Sequence, residues 1–549
     1  MTKLIFITGG VLSGLGKGTV AASIAKLLQF RGFSVSMIKC DPYLNVDAGT
    51  MNPIEHGENF VCEEVWEFKP VEGFAFKIAE VDQDFGIYER FTGEIVHPSH
   101  NITSGQVYLS VILRERVGEY LGKTIQIIPH ITDEIKRRIL MVAEEGKDVV
   151  IVEIGGTVGD IEGMPFLEAI RQLRNELKRE DTLLVHVTYV PYLKTTQQLK
   201  TKPTQHSVQR LREAGLSPDS IVTRSEYPLS EEEKRKIALF TGVPYEAVIS
   251  APDLDTVYAL PLVFEQQGFG EYIIEKLQLG ARVDNLRYRE EIRAWEGLIM
   301  RFLEYSRIIN MAMVGKYTQV YDAYISIIEA LKHAGIHENV RVNVTIIDAE
   351  NYDVNELRKF DGVLLTPGFG KRAVEGMIKA AVFALRERMP FLGICFGAQL
   401  ATVAFAREIM GWKEANTTEV NAKTPYPVVD LLDYQKGLKV KGGTMRLGGI
   451  PVFIKKGTKL WSAYKESPVI ERFRHRYHII RKYADRMAEQ GFIVNAEDID
   501  KNIAGFEITW HPFFLGVQFH PEFKSRPWKP SPPYCAFIRA IISGRENSS

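Results

Sequence analysis

Three residues in the C-terminal half have the side chains and the order of a cysteine-dependent hydrolase. Cys395 lies in FLGICFGAQ (391–399), a pattern that predicts a strand, a sharp turn and a helix. On such a turn the sulfur is exposed, and the N-terminus of the following helix stabilises its thiolate. His520, in GVQFHPE (516–522), can accept the thiol proton and then protonate departing ammonia, while Glu522 orients the histidine. We therefore predict a site that releases ammonia from an amide.

This reaction also needs hydrogen-bond donors for the oxyanion that forms on the amide carbonyl. The backbone amide after Cys395 is one candidate. Gly368 is a second, because LLTPGFG (364–370) predicts a strand that runs into a glycine turn. A single cysteine at a strand end is usually a small core residue, and a single His-Pro-Glu is usually a loop. The three motifs in this order on an α/β pattern favour the functional interpretation.

The N-terminal half begins with a glycine-rich segment, TGGVLSGLGKGT (8–19), between an apolar strand and a helical pattern. Backbone amides and a lysine at a helix N-terminus form a cradle for phosphate, so Lys17 is predicted to contact a nucleotide. The spacing departs from the standard phosphate loop. Val11 stands at the expected first glycine, and Gly18 replaces the Ser or Thr that usually follows the lysine. A glycine-rich turn without a ligand stays open as the alternative.

Charged residues follow later strands of the same half. Lys39 follows the second strand, where ligands bind in open α/β sheets. Glu153 lies at the end of an apolar strand, the position of a carboxylate that holds Mg²⁺ in a phosphoryl-transfer site. Lys200 and Lys202 are spaced to point the same way along an extended chain. A capping role for Glu153 and a solvated surface for the two lysines remain the alternatives.

Apolar strands alternate with helices in both halves, which predicts an α/β fold with parallel sheets. In the first half, strands are predicted at 4–8, 34–38, 149–154, 183–189 and 221–223, with a helix at 21–29. In the second half, strands are predicted at 307–314, 342–347, 362–365, 391–394 and 514–518. Turn signals predict a β-rich insertion at 413–465, and the Arg- and Glu-rich stretch 277–305 predicts a linker with a helix around 292–302.

A chain of 549 residues is too long for one hydrophobic core and suggests about two to four structural units. We predict a domain at 1–270, a linker with a helix at 271–304 and a second domain at 305–549. The net charge of −1 predicts no general attraction to nucleic acid or acidic membranes. The four cysteines form no closely spaced pair, the first residues lack the form of a signal peptide, and no apolar stretch is long enough to span a bilayer. These features predict a cytoplasmic protein.

The motifs around Cys395 and His520 resemble those of a class I glutamine amidotransferase domain, which would occupy 305–549. With the motifs of the first half, the sequence resembles the cytidine triphosphate synthase family over nearly its whole length. The motifs that carry this resemblance are GGVLSGLGKG (9–18), KCDPYLNVDAGTMNP (39–53), EIGGTVGDIE (153–162), KTKPTQHS (200–207) and KIALF (236–240). The resemblance implies a P-loop-like synthetase domain with a parallel sheet, followed by an α/β glutaminase domain.

The implied reaction is the ATP-dependent amination of UTP to CTP, the last step of de novo pyrimidine nucleotide synthesis. ATP would phosphorylate the carbonyl oxygen at position 4 of the uracil ring. Ammonia from glutamine, or free ammonia, would then displace the phosphate. The resemblance also implies Mg²⁺ bound with ATP, GTP as an allosteric activator, CTP as an inhibitor and a homotetramer with nucleotide sites at subunit contacts.

The resemblance also implies roles for individual residues. ATP contacts are implied for Gly14, Leu15, Gly16, Lys17, Gly18, Thr19, Lys39, Asp84, Pro252, Asp253 and Leu254, and Mg²⁺ contacts for Asp84 and Glu153. Contacts with UTP or inhibitory CTP are implied for Ser13, Asp160, Ile161, Glu162, Lys200, Thr201, Lys202, Pro203, Thr204, Gln205 and Lys236. Glutamine contacts are implied for Gly368, Phe396, Gly397, Ala398, Gln399, Glu419 and Arg476. For GTP, the candidates are Lys316 and the loop near Arg372.

The sequence departs from the family pattern in two places. A long hydrophobic segment, 62–80, replaces a short acidic stretch before the pattern resumes at DQDFGIYERF (82–91). We assign the metal role to Asp84 from that later match, with Asp82 as the alternative. In the lid of the glutaminase, Ala373 stands where the family has glycine. If this position requires a positive φ, alanine strains the loop, and weaker activation by GTP is expected.

Two other functions remain open. The first is an amidoligase of the same architecture that acts on another acceptor, such as a cobyrinate or a carboxylate; the motifs 160–162 and 200–207 argue against it. The second is a scaffold or filament subunit whose synthetase site is inactive because of the segment 62–80. The presence of Lys17 and Lys39 argues against that alternative.

Overall fold

The structure is a computed structural model that describes residues 2–438 and 442–546. The chain forms two compact units. The N-terminal unit comprises the residues up to Ala48, Glu67–Phe76 and Asp84–Leu303. The C-terminal unit comprises Gly49–Trp66, Lys77–Gln83 and the residues from Glu304 onward. Two short segments from the first part of the chain thus belong to the C-terminal unit.

The chain up to residue 303 alternates strands and helices. Its strands are β1 (Lys3–Gly9), β2 (Val35–Asp41), β3 (Phe60–Val71), β4 (Phe74–Val81), β5 (Asn101–Thr103), β6 (Val149–Ile154), β7 (Thr182–Tyr189), β8 (Tyr192–Leu193), β9 (Gln198–Leu199), β10 (Ser220–Ser225) and β11 (Val248–Pro252). Its helices are α1 (Lys17–Phe30), α2 (Pro53–His56), α3 (Asp84–Thr92), α4 (Ser104–Arg116), α5 (Thr132–Ala143), α6 (Met164–Glu176), α7 (Lys202–Glu213), α8 (Glu231–Thr241), α9 (Leu260–Gln266), α10 (Phe269–Lys276) and α11 (Asn285–Leu303).

A parallel sheet of seven strands forms the centre of the N-terminal unit, in the order β11-β10-β7-β1-β6-β2-β5. Its central strands are apolar and buried on both faces, as expected for a sheet covered by helices on both sides. Ile7 is paired with Glu153, and Glu153 with Lys39. Because the strands are parallel, the loops that follow β1, β2 and β6 meet at one edge of the sheet.

The chain after residue 303 repeats the alternation. Its strands are β12 (Arg307–Gly315), β13 (Val340–Asp348), β14 (Gly362–Leu365), β15 (Phe391–Ile394), β16 (Asn416–Thr417), β17 (Pro427–Leu431), β18 (Arg446–Ile454), β19 (Val469–His475), β20 (Tyr477–Ile479), β21 (Phe492–Asp498), β22 (Ile503–Ile508) and β23 (Phe514–Val517). Its helices are α12 (Ile325–His337), α13 (Val374–Glu387), α14 (Phe396–Glu408), α15 (Lys459–Tyr464), α16 (Arg481–Met487) and α17 (Pro532–Glu546).

A mixed sheet of nine strands forms the centre of the C-terminal unit, in the order β13-β12-β14-β15-β23-β22-β21-β18-β19. The first five strands are parallel, and the last four extend the sheet antiparallel. Side chains of β12 alternate between two cores: Ile309, Met311 and Met313 pack on one face, while Ala312 and Val314 pack on the other.

Each predicted strand overlaps an observed strand, and the predicted α/β fold is confirmed. The second half was also predicted to form a parallel sheet, but β22, β21, β18 and β19 extend its parallel strands in antiparallel pairing. The segment 413–465 contains β16, β17, β18 and α15, with 439–441 outside the described residues. It is not a separate insertion, because β18 belongs to the main sheet.

The unusual segment 62–80 lies within a hairpin of β3 and β4, joined at Glu72-Gly73. All four cysteines are free and buried. In the described ranges, every helix is too short or too polar to cross a membrane.

Candidate active sites

Cys395 occupies the sharp turn that its sequence predicts. β15 ends at Ile394, α14 begins at Phe396, and Cys395 between them adopts φ +50° and ψ −104°. A positive φ is strained for a residue with a Cβ, and such strain concentrates at functional positions. The turn is tight, since a Cβ at Gly397 would collide with the backbone oxygen of Leu365. The strand–turn–helix geometry of a nucleophile is therefore present.

His520 and Glu522 follow β23, the strand that pairs with β15, so the sheet brings them towards Cys395. His520 Nδ1 lies 2.8 Å from Glu522 Oε1, which leaves Nε2 for the sulfur. All three side chains are buried, so the expectation of an exposed sulfur at Cys395 is wrong. Burial lowers the pKa of His520, but Glu522 and then Cys395 outweigh it and raise this pKa to about 10. The carboxylate of Glu522 thus favours the imidazolium that forms when His520 accepts the thiol proton.

A cavity of about 440 Å³ opens beside the histidine. The predicted residues in its wall are Gly368, Arg476, His520 and Glu522. Arg474 and the segment 49–53 also line it. The other predicted residues, 395–399 and Glu419, are not among the residues that line this cavity. Of the predicted glutamine contacts, Gly368 and Arg476 thus line the cavity, 396–399 form the buried start of α14, and Glu419 belongs to neither group.

Lys316 holds the loop that carries Gly368. Its Nζ donates hydrogen bonds to the backbone oxygens of Phe369, at 2.9 Å, and Gly370, at 2.5 Å. The backbone N–H of Gly370 donates to Glu419 Oε1 at 2.6 Å. Burial lowers the pKa of Lys316 to about 8. The side chain suggested for GTP is thus engaged in positioning this loop.

Ala373, the residue before α13, adopts φ +61° and ψ 6°. The condition stated from the sequence, a positive φ at this position, is confirmed. The left-handed conformation costs a residue with a Cβ about 1–2 kcal/mol. Arg372 beside it donates to the backbone oxygen of Lys316, so the strained residue belongs to the loop that Lys316 holds.

Gln399 and Arg476 are both anchored by neighbouring polar groups. Gln399 Nε2 donates to the backbone oxygen of Tyr477 at 2.8 Å. Arg476 Nη1 donates to Gln435 Oε1 at 2.7 Å and to Thr444 Oγ1 at 2.9 Å. The two predicted glutamine contacts are therefore held in place by the C-terminal unit itself.

In the N-terminal unit, the glycine-rich segment forms a loop between β1 and α1, as predicted. Val11 has φ +79°, an outlier for a β-branched residue at the position where the standard loop has glycine. Lys17 is buried, and its Nζ donates to the backbone oxygen of Gly156 at 2.7 Å. Burial, and next the charge of Lys39, lower the pKa of Lys17. A phosphate group beside Lys17 would favour its charged form.

Asp84 and Glu153 converge on one ammonium group. Lys39 Nζ donates to Glu153 Oε1 at 2.6 Å and also to Asp84 Oδ2. Tyr88 Oη donates to the other oxygen of Glu153. A Cβ at Gly18 would lie 2.5 Å from Asp84 Oδ1, which explains why glycine follows the loop lysine here. The carboxylate of Asp84 thus lies directly on the start of α1.

The described residues contain no cluster of three or more His, Cys, Asp or Glu side chains able to hold a metal ion. One or two carboxylates together with substrate phosphates are, however, a common way for proteins to bind Mg²⁺. Asp84 and Glu153 beside the phosphate loop fit that pattern. Asp82, the alternative, belongs to the C-terminal unit and lies 3.2 Å from His56 Nε2. The geometry therefore favours Asp84.

A cavity of about 470 Å³ collects several of the predicted UTP contacts: Lys200, Thr201, Lys202, Gln205 and Lys236. The extended chain predicted for 200–202 is wrong, because Lys200 follows β9 and Lys202 is the first residue of α7. Both lysines face the same cavity, since a strand end there meets a helix start. Ser13, 160–162 and 203–204 lie outside the described lining.

Arg224 on β10 holds the end of β11. Its Nη1 donates to the backbone oxygens of Ala251, at 2.8 Å, and Pro252, at 3.0 Å, and its Nη2 lies 3.0 Å from Asp253 Oδ1. A Cβ at Gly16 would lie 4.0 Å from Arg224 Nε. The segment 252–254, suggested for ATP contacts, and the phosphate loop thus share one cationic neighbour.

Two family models match the chain: CTP synthase N-terminus over residues 3–279, and Glutamine amidotransferase class-I over 319–540. A CTP synthase of Methanopyrus kandleri is 50% identical over 546 residues, covering 98% of each chain. A CTP synthase of Archaeoglobus fulgidus is 50% identical over 549 residues, covering 99% of each chain. This chain belongs to the CTP synthase family.

A solved structure, the glutaminase domain of Trypanosoma brucei CTPS with bound acivicin, is 32% identical. It covers 43% of this chain and 94% of that chain, with a TM-score of 0.40. The CTP synthase N-terminus match contains Lys17, Asp84 and Glu153, and the amidotransferase match contains Cys395 and His520.

Sequence reasoning missed three polar residues of these CTP synthase sites: Tyr88, Arg224 and Gln518. Each lies inside or beside an apolar stretch, where single polar residues are usually solvated or satisfied locally. For Gln518 the signal was its place two residues before His520. Tyr88 and Arg224 carry no local signal, since their partners are distant in the sequence.

Proposed function

We propose that this protein converts UTP to CTP at the expense of ATP, with ammonia taken from glutamine. The observation that carries the proposal is the cluster of Lys17, Lys39, Asp84 and Glu153 at the edge of the parallel sheet. A glutaminase alone only supplies nitrogen. A cationic and acidic cluster on a phosphate loop adds the activation that amination of a pyrimidine carbonyl requires.

In the glutaminase, the thiol proton of Cys395 passes to Nε2 of His520. The sulfur attacks the carboxamide carbon of glutamine, and the carbonyl oxygen becomes an oxyanion that the backbone amide after Cys395 and that of Gly368 would bind. His520 then protonates the departing ammonia, which leaves a thioester. Water, deprotonated by His520, releases glutamate and restores the thiol. Glu522 keeps the imidazole oriented through Nδ1.

In the synthetase, Lys17 and Lys39 would neutralise charge on the ATP phosphates as the terminal phosphoryl group moves to the uracil O4. Phosphorylation turns a poor leaving group into a good one. Ammonia then adds at C4 and phosphate departs, which gives CTP. Mg²⁺ held by Asp84 and Glu153 would offset the negative charge of the phosphates. Lys200, Lys202 and Lys236 would bind the triphosphate of UTP.

Further parts of the proposal rest on the family resemblance. They are activation by GTP, inhibition by CTP, assembly into a homotetramer and a cytoplasmic location. The domain limits at 270 and 304 also stay predictions.

The test is CTP formation from UTP, ATP and Mg²⁺, first with an ammonium salt and then with glutamine and GTP. We expect product in both cases, and Cys395→Ser should lose only the glutamine-dependent reaction. Lys17→Ala should lose both. If no CTP forms with ammonium or with glutamine, the proposal is overturned and a scaffold function is favoured. Glutamine hydrolysis coupled to amination of a different acceptor would favour another amidoligase.

A further inference from the structure

Two buried glutamines form a chain of hydrogen bonds that ends on the sulfur of Cys395. Gln399 Nε2 donates to the backbone oxygen of Tyr477 at 2.8 Å and to Gln518 Oε1 at 3.2 Å. Gln518 Nε2 in turn donates to Cys395 Sγ at 3.6 Å. Gln399 and Gln518 are each only 2% exposed. The chain therefore lies out of contact with bulk water.

The direction of this chain is determined by its first member. A backbone carbonyl can only accept, so the side-chain nitrogen of Gln399, not its oxygen, must face Tyr477. The same nitrogen reaches Gln518, which must therefore present its oxygen to Gln399. Gln518 then has only its amide N–H to present to Cys395. The orientation of both amides follows from the network, although nitrogen and oxygen have similar shapes.

We propose that Gln518 is a further catalytic residue of the glutaminase, whose amide N–H stabilises the thiolate of Cys395. This inference rests on the proposed glutaminase function. Gln399 acts through Gln518 and is a positioning residue, in addition to the glutamine contact suggested for it.

The second neighbour of the sulfur makes this donor necessary. Cys395 Sγ lies 3.5 Å from the backbone oxygen of Arg474, which can accept a hydrogen bond from the neutral thiol. When the proton moves from Sγ to Nε2 of His520, that oxygen faces an anion and repels it. Gln518 then faces the anion with a fixed N–H. A donor that is already oriented stabilises the charged form without reorganisation.

The sequence produces this arrangement through two spacings. Gln399 is four residues after Cys395, so one turn of α14 places it on the side of the helix below the nucleophile. Gln518 directly follows Val517, the last residue of β23, whose backbone oxygen accepts from the N–H of Cys395 at 2.8 Å. Strand pairing between β15 and β23 thus brings Gln518 to the sulfur.

The test measures the rate of alkylation of Cys395 by iodoacetamide as a function of pH in the full chain, with the rate of Cys395→Ser subtracted. Gln518→Met removes the donor and keeps the length of the side chain. Gln518→Glu keeps the acceptor for Gln399 and turns a carboxylate oxygen to the sulfur. The matched control is Gln490→Met, at an exposed position of the same unit.

We expect the alkylation midpoint to rise by about one pH unit in Gln518→Met, and further in Gln518→Glu, because a charge-assisted hydrogen bond is lost. The glutaminase kcat should fall about tenfold or more, with a smaller change in the KM for glutamine, while ammonia-dependent CTP formation persists. Gln490→Met should match the parent.

An unchanged midpoint in either folded Gln518 variant would overturn the inference, even if activity falls, because a merely structural role would leave the midpoint in place. A midpoint that rises more in Gln518→Met than in Gln518→Glu would also overturn it. The alkylation measurement needs no substrate, so it stands apart from a failure of the proposed CTP synthesis.

Discussion

Replacing Gly18 with alanine should separate the two activities of this chain. The new methyl group would lie 2.5 Å from Oδ1 and 2.7 Å from Cγ of Asp84. Both distances are far below van der Waals contact. Asp84 is the first residue of α3, so its backbone is fixed, and its carboxylate must turn away from Lys39.

The cost follows from the contact that is lost. A hydrogen bond between charged groups contributes about 1.5–3 kcal/mol. If the displaced carboxylate no longer serves the phosphoryl transfer, that energy corresponds to a loss of about 10- to 150-fold in rate, at about 1.4 kcal/mol for each factor of ten. The metal role proposed for Asp84 adds a second expectation, a higher requirement for Mg²⁺.

The assay is ammonia-dependent CTP formation at several Mg²⁺ concentrations, with glutamine hydrolysis measured separately. We expect Gly18→Ala to lose the first activity and to retain basal glutamine hydrolysis. The matched control is Gly297→Ala in α11, where a Cβ meets nothing within 4 Å. An unchanged rate and Mg²⁺ dependence in Gly18→Ala would refute the placement of Asp84 at the phosphate loop.

Three further substitutions test the other parts of the molecule. Ala373→Gly should remove about 1–2 kcal/mol of left-handed backbone strain, which the greater conformational freedom of glycine in the unfolded chain offsets by about 0.4–1 kcal/mol. The variant should show a stronger GTP response in glutamine-dependent synthesis, and an equal response in variant and parent would contradict this. Glu522→Gln should lower the pKa of His520 from about 10, because the carboxylate that raises this pKa is lost. The alkaline limb of the glutaminase pH profile should then move down by about one to two pH units, and a limb that stays in place would contradict this. Lys202→Ala should raise the KM for UTP about tenfold with little change in the KM for ATP. The control Lys194→Ala, at an exposed neighbouring position, should change neither KM, and an equal rise in the KM for UTP in both variants would show a general charge effect.

The glutaminase was the part most readily predicted from the sequence. Glycines on both sides of Cys395 predict its sharp turn, and His520 and Glu522 are only two residues apart, so both features can be recognised from a short stretch of sequence. The local conformation at Lys200 and Lys202 was predicted wrongly. A spacing of two fits a strand, but Pro203 sits at the start of α7, where proline favours the first turn of a helix.

The sequence by itself determined the α/β fold, the strand–turn–helix at Cys395 and the glycine-rich loop between β1 and α1, because each depends on residues close along the chain. For Ala373 it raised only the question of a positive φ, which the structure answered. Tertiary structure alone decided that Asp84 rather than Asp82 shares Lys39 with Glu153, and that Gly49–Trp66 belongs to the C-terminal unit. It also decided that Gln518 faces the sulfur of Cys395, 123 positions away. Such contacts arise from strand order and helix packing, which depend on the whole chain. Local patterns specify which face of an element is buried, but not which distant side chain it meets.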